Sequence, residues 1–79
     1  MSNASSQMRV TIASPPDREK LVAEIFHENE QWAEVHQERS ELTLELYPRR
    51  DGKPWEFGLE DAVSALVAAR KRLVGVGEK

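Results

Sequence analysis

The chain has no cysteine. That excludes a disulfide framework and any thiolate-bound zinc, and it fits a reducing compartment. No apolar run approaches the roughly 20 residues that cross a bilayer as a helix. The first residues show no basic stretch followed by an apolar one, so no secretion signal is read there. The four glycines are scattered and build no phosphate-cradling loop. Only two histidines occur, His27 and His36. Their opposite parity sends them to opposite faces of a sheet, so they cannot share a metal ion. Ser40 and Ser64 have no base placed to activate them. No cofactor, small-molecule substrate or catalytic group is expected from this inventory, and the chain is read as a non-enzyme.

What the chain does contain is alternation. Between residues 21 and 47, Leu21, Ala23, Ile25, Ala33 and Val35 occupy odd positions. After a shift of phase, Leu42, Leu44 and Leu46 occupy even ones. A period of two with one aliphatic set means strands with one buried face. Met8, Val10 and Ile12 give an earlier strand the same pattern, stopped by Pro15 and Pro16, which fix φ and donate nothing to a ladder. The strands are expected near residues 8–13, 20–27, 31–37 and 41–47. Glu28, Asn29 and Glu30 would form a three-residue turn with Asn29 left-handed. Arg39 and Ser40 would form the next turn.

From residue 59 the period changes. Leu59, Val63, Leu66, Ala69 (or Arg70) and Leu73 recur at helical spacing, with Ala62 beside them. Glu60 and Asp61 open this segment and Arg70, Lys71 and Arg72 close it, the charge order that the helix dipole favours. Gly75 is the natural stop, which gives a helix over about 59–74. The fold class expected is α+β. It has two layers, a four-stranded antiparallel meander with one C-terminal helix packed on one face, in the order ββββα.

Seventy-nine residues make one domain. A chain of this size buries only about 60% of its unfolded surface, so its core is thin. Residues 8–75 are taken as the domain and 76–79 as a tail. Residues 1–7 are small and polar, and the run Ser2, Asn3, Ala4 has the character of a cleaved-tag remnant. The net charge of −3 hides a separation. Residues 24–45 hold seven glutamates against Arg39, whereas residues 46–79 carry more basic than acidic side chains. An acidic sheet disfavours nucleic acid on the strands and favours a basic partner.

The parity opposite to the aliphatic set singles out a candidate site. A three-residue turn at 28–30 would pair Phe26 with Trp32 and Glu24 with Glu34. A two-residue turn at 39–40 would pair Trp32 with Tyr47, Glu34 with Glu45, and His36 with Thr43. The face away from the helix would then carry an aromatic row, Phe26, Trp32 and Tyr47, beside a carboxylate row, Glu24, Glu34 and Glu45. Exposed aromatics in a group mark protein interfaces. Opposed carboxylates repel unless a neighbour such as Arg9 relieves them. Paired carboxylates also serve glycoside cleavage, but a flat sheet face offers too little desolvation to keep one protonated.

These six residues are therefore the expected protein-binding site, for a protein partner or a second copy, and an edge strand offers a further route to pairing. One alternative is an immunity or antitoxin-like inhibitor of a basic enzyme. Another is nucleic-acid binding through Arg49, Arg50 and Lys53 with Arg70, Lys71 and Arg72. Trp55, following Pro54, is expected to plug the open end of the helix–sheet core.

Residues 14–25 (SPPDREKLVAEI), 30–35 (EQWAEV), 46–49 (LYPR) and 51–57 (DGKPWEF) together resemble small uncharacterised bacterial proteins. In those proteins a four-strand meander precedes a single C-terminal helix. The likeness spans most of residues 8–74. It implies a bacterial, cytoplasmic protein and brings no activity or functional residue with it.

Overall fold

The computed structural model describes residues 7–38 and 41–77. It contains β1 (Met8–Ala13), β2 (Val22–His27), β3 (Glu30–His36), β4 (Thr43–Leu46) and α1 (Leu59–Gly77). The strands form one antiparallel sheet in the order β1-β2-β3-β4. The expected ββββα meander is the observed fold. The expected turn at Arg39 and Ser40, the first six residues and the last two lie outside the described residues.

The β2–β3 hairpin differs from expectation in one informative way. His27 pairs with Glu30, so the turn holds two residues rather than three. Its left-handed residue is Glu28, with a φ of 61°, and not Asn29. A two-residue hairpin needs positive φ at its first turn position to match the twist of its strands. The shorter turn shifts the pairing by one residue, to Phe26 with Gln31. A bulge after Ile25 then restores the expected pairs Ile25 with Ala33 and Glu24 with Glu34. Trp32 is the extra residue of that bulge. A bulge lets two consecutive side chains leave the strand on one side. Trp32 accordingly joins Ala33 in the hydrophobic core and is almost fully buried. Its indole N–H donates to Met8 Sδ at 3.3 Å, and its ring lies 4.7 Å from that of Phe57. The expected Phe26–Trp32 pair, and with it the exposed aromatic row, does not form.

The helix is also rotated from expectation. Ala65, Ala69 and Leu73 are buried, with Ala62 and Leu66 packed beside them. Leu59 and Val63 are exposed. Alanines let the helix backbone approach the sheet closely, and that close approach decides the rotation. The helix runs through Gly75 to Gly77. A glycine inside a helix costs only about 1 kcal/mol. Leu73, buried just before it, holds the last turns against the sheet. Arg70, Lys71 and Arg72 therefore lie inside the helix and not in its last turn, while Glu60 and Asp61 do occupy the first turn.

The helix packs on β1 and β2. It leaves the aliphatic side of β4 uncovered, where Leu42, Leu44 and Leu46 are 37%, 45% and 66% exposed.

Candidate functional site

The face away from the helix is a covered, charge-paired layer rather than a flat open surface. Pro15 and Pro16 end β1, and the Arg18 amide donates to the Pro15 carbonyl at 3.2 Å, closing a turn. The segment then folds across the outer face of β3 and β4. Arg18 Nη2 lies 2.9 Å from Glu34 Oε2 and 2.8 Å from Glu45 Oε1. The backbone amides of Lys20 and Glu19 donate to the Glu38 carboxylate at 3.2 and 3.5 Å. Beneath this cover Glu34 and His36 are buried.

The expected pairs Glu34–Glu45 and His36–Thr43 are present in the β3–β4 ladder. Their like charges are relieved by Arg18 and not by Arg9, which instead places its guanidinium 4.4 Å from the Phe26 ring centroid. The contact of Glu34 Oε2 with Arg18 is an ion pair outside hydrogen-bond geometry, and this oxygen has no hydrogen-bond partner among the described residues. Burial works against the Arg18 charge, but Glu34, Glu45 and Asp17 reverse that effect and raise its pKa.

Tyr47 completes the layer. Its hydroxyl donates to Glu34 Oε1 at 2.6 Å. Burial first, then this hydrogen bond and the charges of Glu34 and Glu45, push the phenol up to about 12 from 10.0. The folded pKa lies above the unfolded one. The stabilisation is therefore complete below pH 10.0 and is lost as pH rises toward about 12. Tyr47 is the single tyrosine of the chain, so tyrosinate absorbance reads it alone. We expect a titration midpoint well above 10, and a fall in stability across that window that Tyr47→Phe removes. A midpoint near 10 would mean that Tyr47 is neither buried nor bonded to Glu34.

The six residues expected to bind a partner thus separate. Glu24, Glu34, Glu45 and Tyr47 come together on the outer face, where Arg18 and mutual hydrogen bonds engage the last three. Phe26 lies under Arg9. Trp32 is in the core. Arg18 is the residue that sequence reasoning missed; its one signal was a cation in a proline turn before an acidic sheet.

At the hairpin end, His27, Trp55 and Phe57 cluster, with Trp55 Nε1 donating to the Tyr47 carbonyl at 3.0 Å. Trp55 and Phe57 are packed against the core, the plugging role expected of Trp55. An open cleft of about 390 Å³ lies beside them. Part of its polar lining is engaged within the fold. Arg49 bonds to Asp51 and the Pro54 carbonyl, and the Arg50 amide donates to Glu30. Among the described residues, no three histidine or carboxylate side chains converge as metal ligands. No helix of the described residues is long and apolar enough to cross a membrane.

The two sheet edges differ. In the β1–β2 ladder the Glu28 amide donates to the Gln7 carbonyl, so Met8, Val10 and Ile12 turn their backbone groups to the free edge. The Arg72 guanidinium, reaching from α1, donates to the Val10 carbonyl and caps that edge. In the β3–β4 ladder the Tyr47 amide donates to the Trp32 carbonyl at 2.9 Å. Thr43, Glu45 and Tyr47 therefore bond inward, and Leu44 and Leu46 turn their backbone groups outward. These are the residues whose side chains the helix leaves exposed. At 100° per residue, Leu59, Arg70 and Val63 lie on the flank of α1 away from Arg72, which is the flank toward β4, and Val67 lies farther toward solvent. The backbone edge and the exposed leucine side chains of β4 form one surface, which alternation alone reads as buried.

Comparison of the chain with protein families, with curated proteins and with solved structures finds no match.

Proposed function

We propose that the chain is a non-enzymatic protein-binding module whose contact surface is the free edge of β4 with Leu42, Leu44 and Leu46 beside it. The carrying observation is the coincidence, on the same residues, of outward backbone groups and exposed leucine side chains. Edge strands of soluble proteins are normally short, charged, bulged or covered, because an open apolar edge recruits another strand. Here β1 has its cap in Arg72 and β4 has none among the described residues.

The polar groups of the outer face support this division of labour. Glu34, Glu45, Tyr47 and Arg18 are tied to one another by ion pairs and the Tyr47–Glu34 hydrogen bond, which suits a layer that holds the sheet together. The basic residues argue less well for nucleic acid. Arg49 follows β4 and Arg72 sits over β1, at opposite edges of the sheet, and both are bonded internally.

Selection of a displayed peptide library against the chain tests the reading. Selected peptides should lose binding to Leu44→Arg/Leu46→Arg and keep it to Lys71→Glu. Both variants should retain the native circular dichroism, since all three side chains are exposed. Peptides indifferent to the β4 substitutions would overturn the assignment.

A further inference from the structure

We infer that the occupant of the β4 edge is a second copy of this chain, paired antiparallel about a two-fold axis through Leu44 to make one eight-stranded sheet. This rests on reading β4 as the contact surface and goes beyond it by naming the partner and the register.

A two-fold axis makes a strand its own complement, because an antiparallel pair presents the same groups in both directions. The outward groups belong to even-numbered residues, so even residues must face even residues. With the axis at Leu44, Leu44 faces Leu44 of the partner subunit, and Leu42 and Leu46 face each other across the junction. Side-chain chemistry then selects among registers. An axis at Glu45 would oppose the two Glu45 side chains and would set Pro48, which has no N–H, opposite Leu42. An axis at Thr43 would set Glu41 against Glu45. Directly opposed like charges destabilise a pair, and proline cannot donate to a ladder. The axis at Leu44 avoids both, since Glu45 then faces Thr43 and Glu41 faces Tyr47.

Among the described residues, no strand or helix covers the free edge of β4. The helix of each copy lies over β1 and β2, so the two helices stand roughly 30 Å apart at ordinary strand spacing. All six leucines fall on the helix side of the joined sheet, between helix flanks that carry Leu59, Val63 and Arg70.

Sedimentation equilibrium of the full chain at tens of micromolar should give twice the 9.0 kDa chain mass. Leu44→Pro removes an N–H that the β3–β4 ladder does not use, and should weaken the dimer on the order of 100-fold through two lost hydrogen bonds. Circular dichroism checks that this variant folds, and cysteine variants give a readout that does not depend on it. The chain has no cysteine of its own. Facing residues at such a pair have Cα atoms about 5.5 Å apart, within disulfide reach.

Leu44→Cys should therefore form a disulfide dimer on mild oxidation. Leu42→Cys alone should not, whereas Leu42→Cys mixed with Leu46→Cys should. A monomer at these concentrations, or a dimer in which Leu44→Cys fails to cross-link, overturns the inference. If selected peptides still depend on Leu44 and Leu46, that failure concerns self-pairing alone. If that dependence is also absent, the contact surface itself is wrong.

Discussion

Trp32→Ala should destabilise the fold by about 3–5 kcal/mol, the cost of emptying a large aromatic site in a core. A domain of this size holds roughly 4–12 kcal/mol in total, so the variant should lose a large part of its stability or unfold at moderate temperature. The indole carries several connections at once. It packs 4.7 Å from Phe57, donates to Met8 and fills the core beside Ala33. Phe26→Ala is the control, because alternation alone places the two residues in one exposed row. Phe26 is half-buried and covered on one side by Arg9, so its loss should cost only about 1 kcal/mol. Urea unfolding of the two variants measures the contrast. Equal costs would mean that the bulge after Ile25 does not turn Trp32 inward.

A second contrast separates two leucines that hydropathy treats alike. Leu73 is 1% exposed and anchors the last turns of α1 in the core. Leu73→Ala should cost about 2–5 kcal/mol through the cavity left behind. Leu46 is 66% exposed, and Leu46→Ala in dilute protein should change stability by less than about 0.5 kcal/mol. At higher concentration the same Leu46 variant should weaken association while the fold remains intact. Thermal unfolding at two concentrations distinguishes these effects, since association makes the transition concentration-dependent. A large intrinsic cost at Leu46 would mean that the helix covers β4 after all.

Both contrasts locate the point at which sequence reasoning stops. The pairs Glu34–Glu45 and His36–Thr43 were legible because strand parity and a single turn length determine them. Trp32 was not. Its face depends on whether the hairpin turn has two residues or three, and a one-residue change sends a side chain to the other face. The residue taking positive φ is Glu28, a type with no preference for that conformation, so its neighbours carried no signal. The helix was legible in extent to within a turn but not in rotation. Leu59 and Val63 outweigh alanine on any hydropathy scale, whereas close packing against the sheet selects Ala62, Ala65 and Ala69. Arg18 pairs with residues 16 and 27 positions away, and no local pattern reports such a distance.

The sequence by itself determined the elements, their order and the identity of one aliphatic face, because periodicity is a local property of backbone geometry. It also set the carboxylates of β3 and β4 opposite each other, since a ladder conserves parity. Tertiary structure decided what covers each face. A single helix covers two strands of a four-stranded sheet, so Ile25 and Leu73 are buried between them, Val10 is half-buried, and Leu44 and Leu46 stay open. The β1–β2 connection, turned back by its prolines, covers the side where alternation suggested free aromatics and carboxylates. Periodicity divides side chains between two faces. Which face meets water depends on where the remaining chain comes to rest.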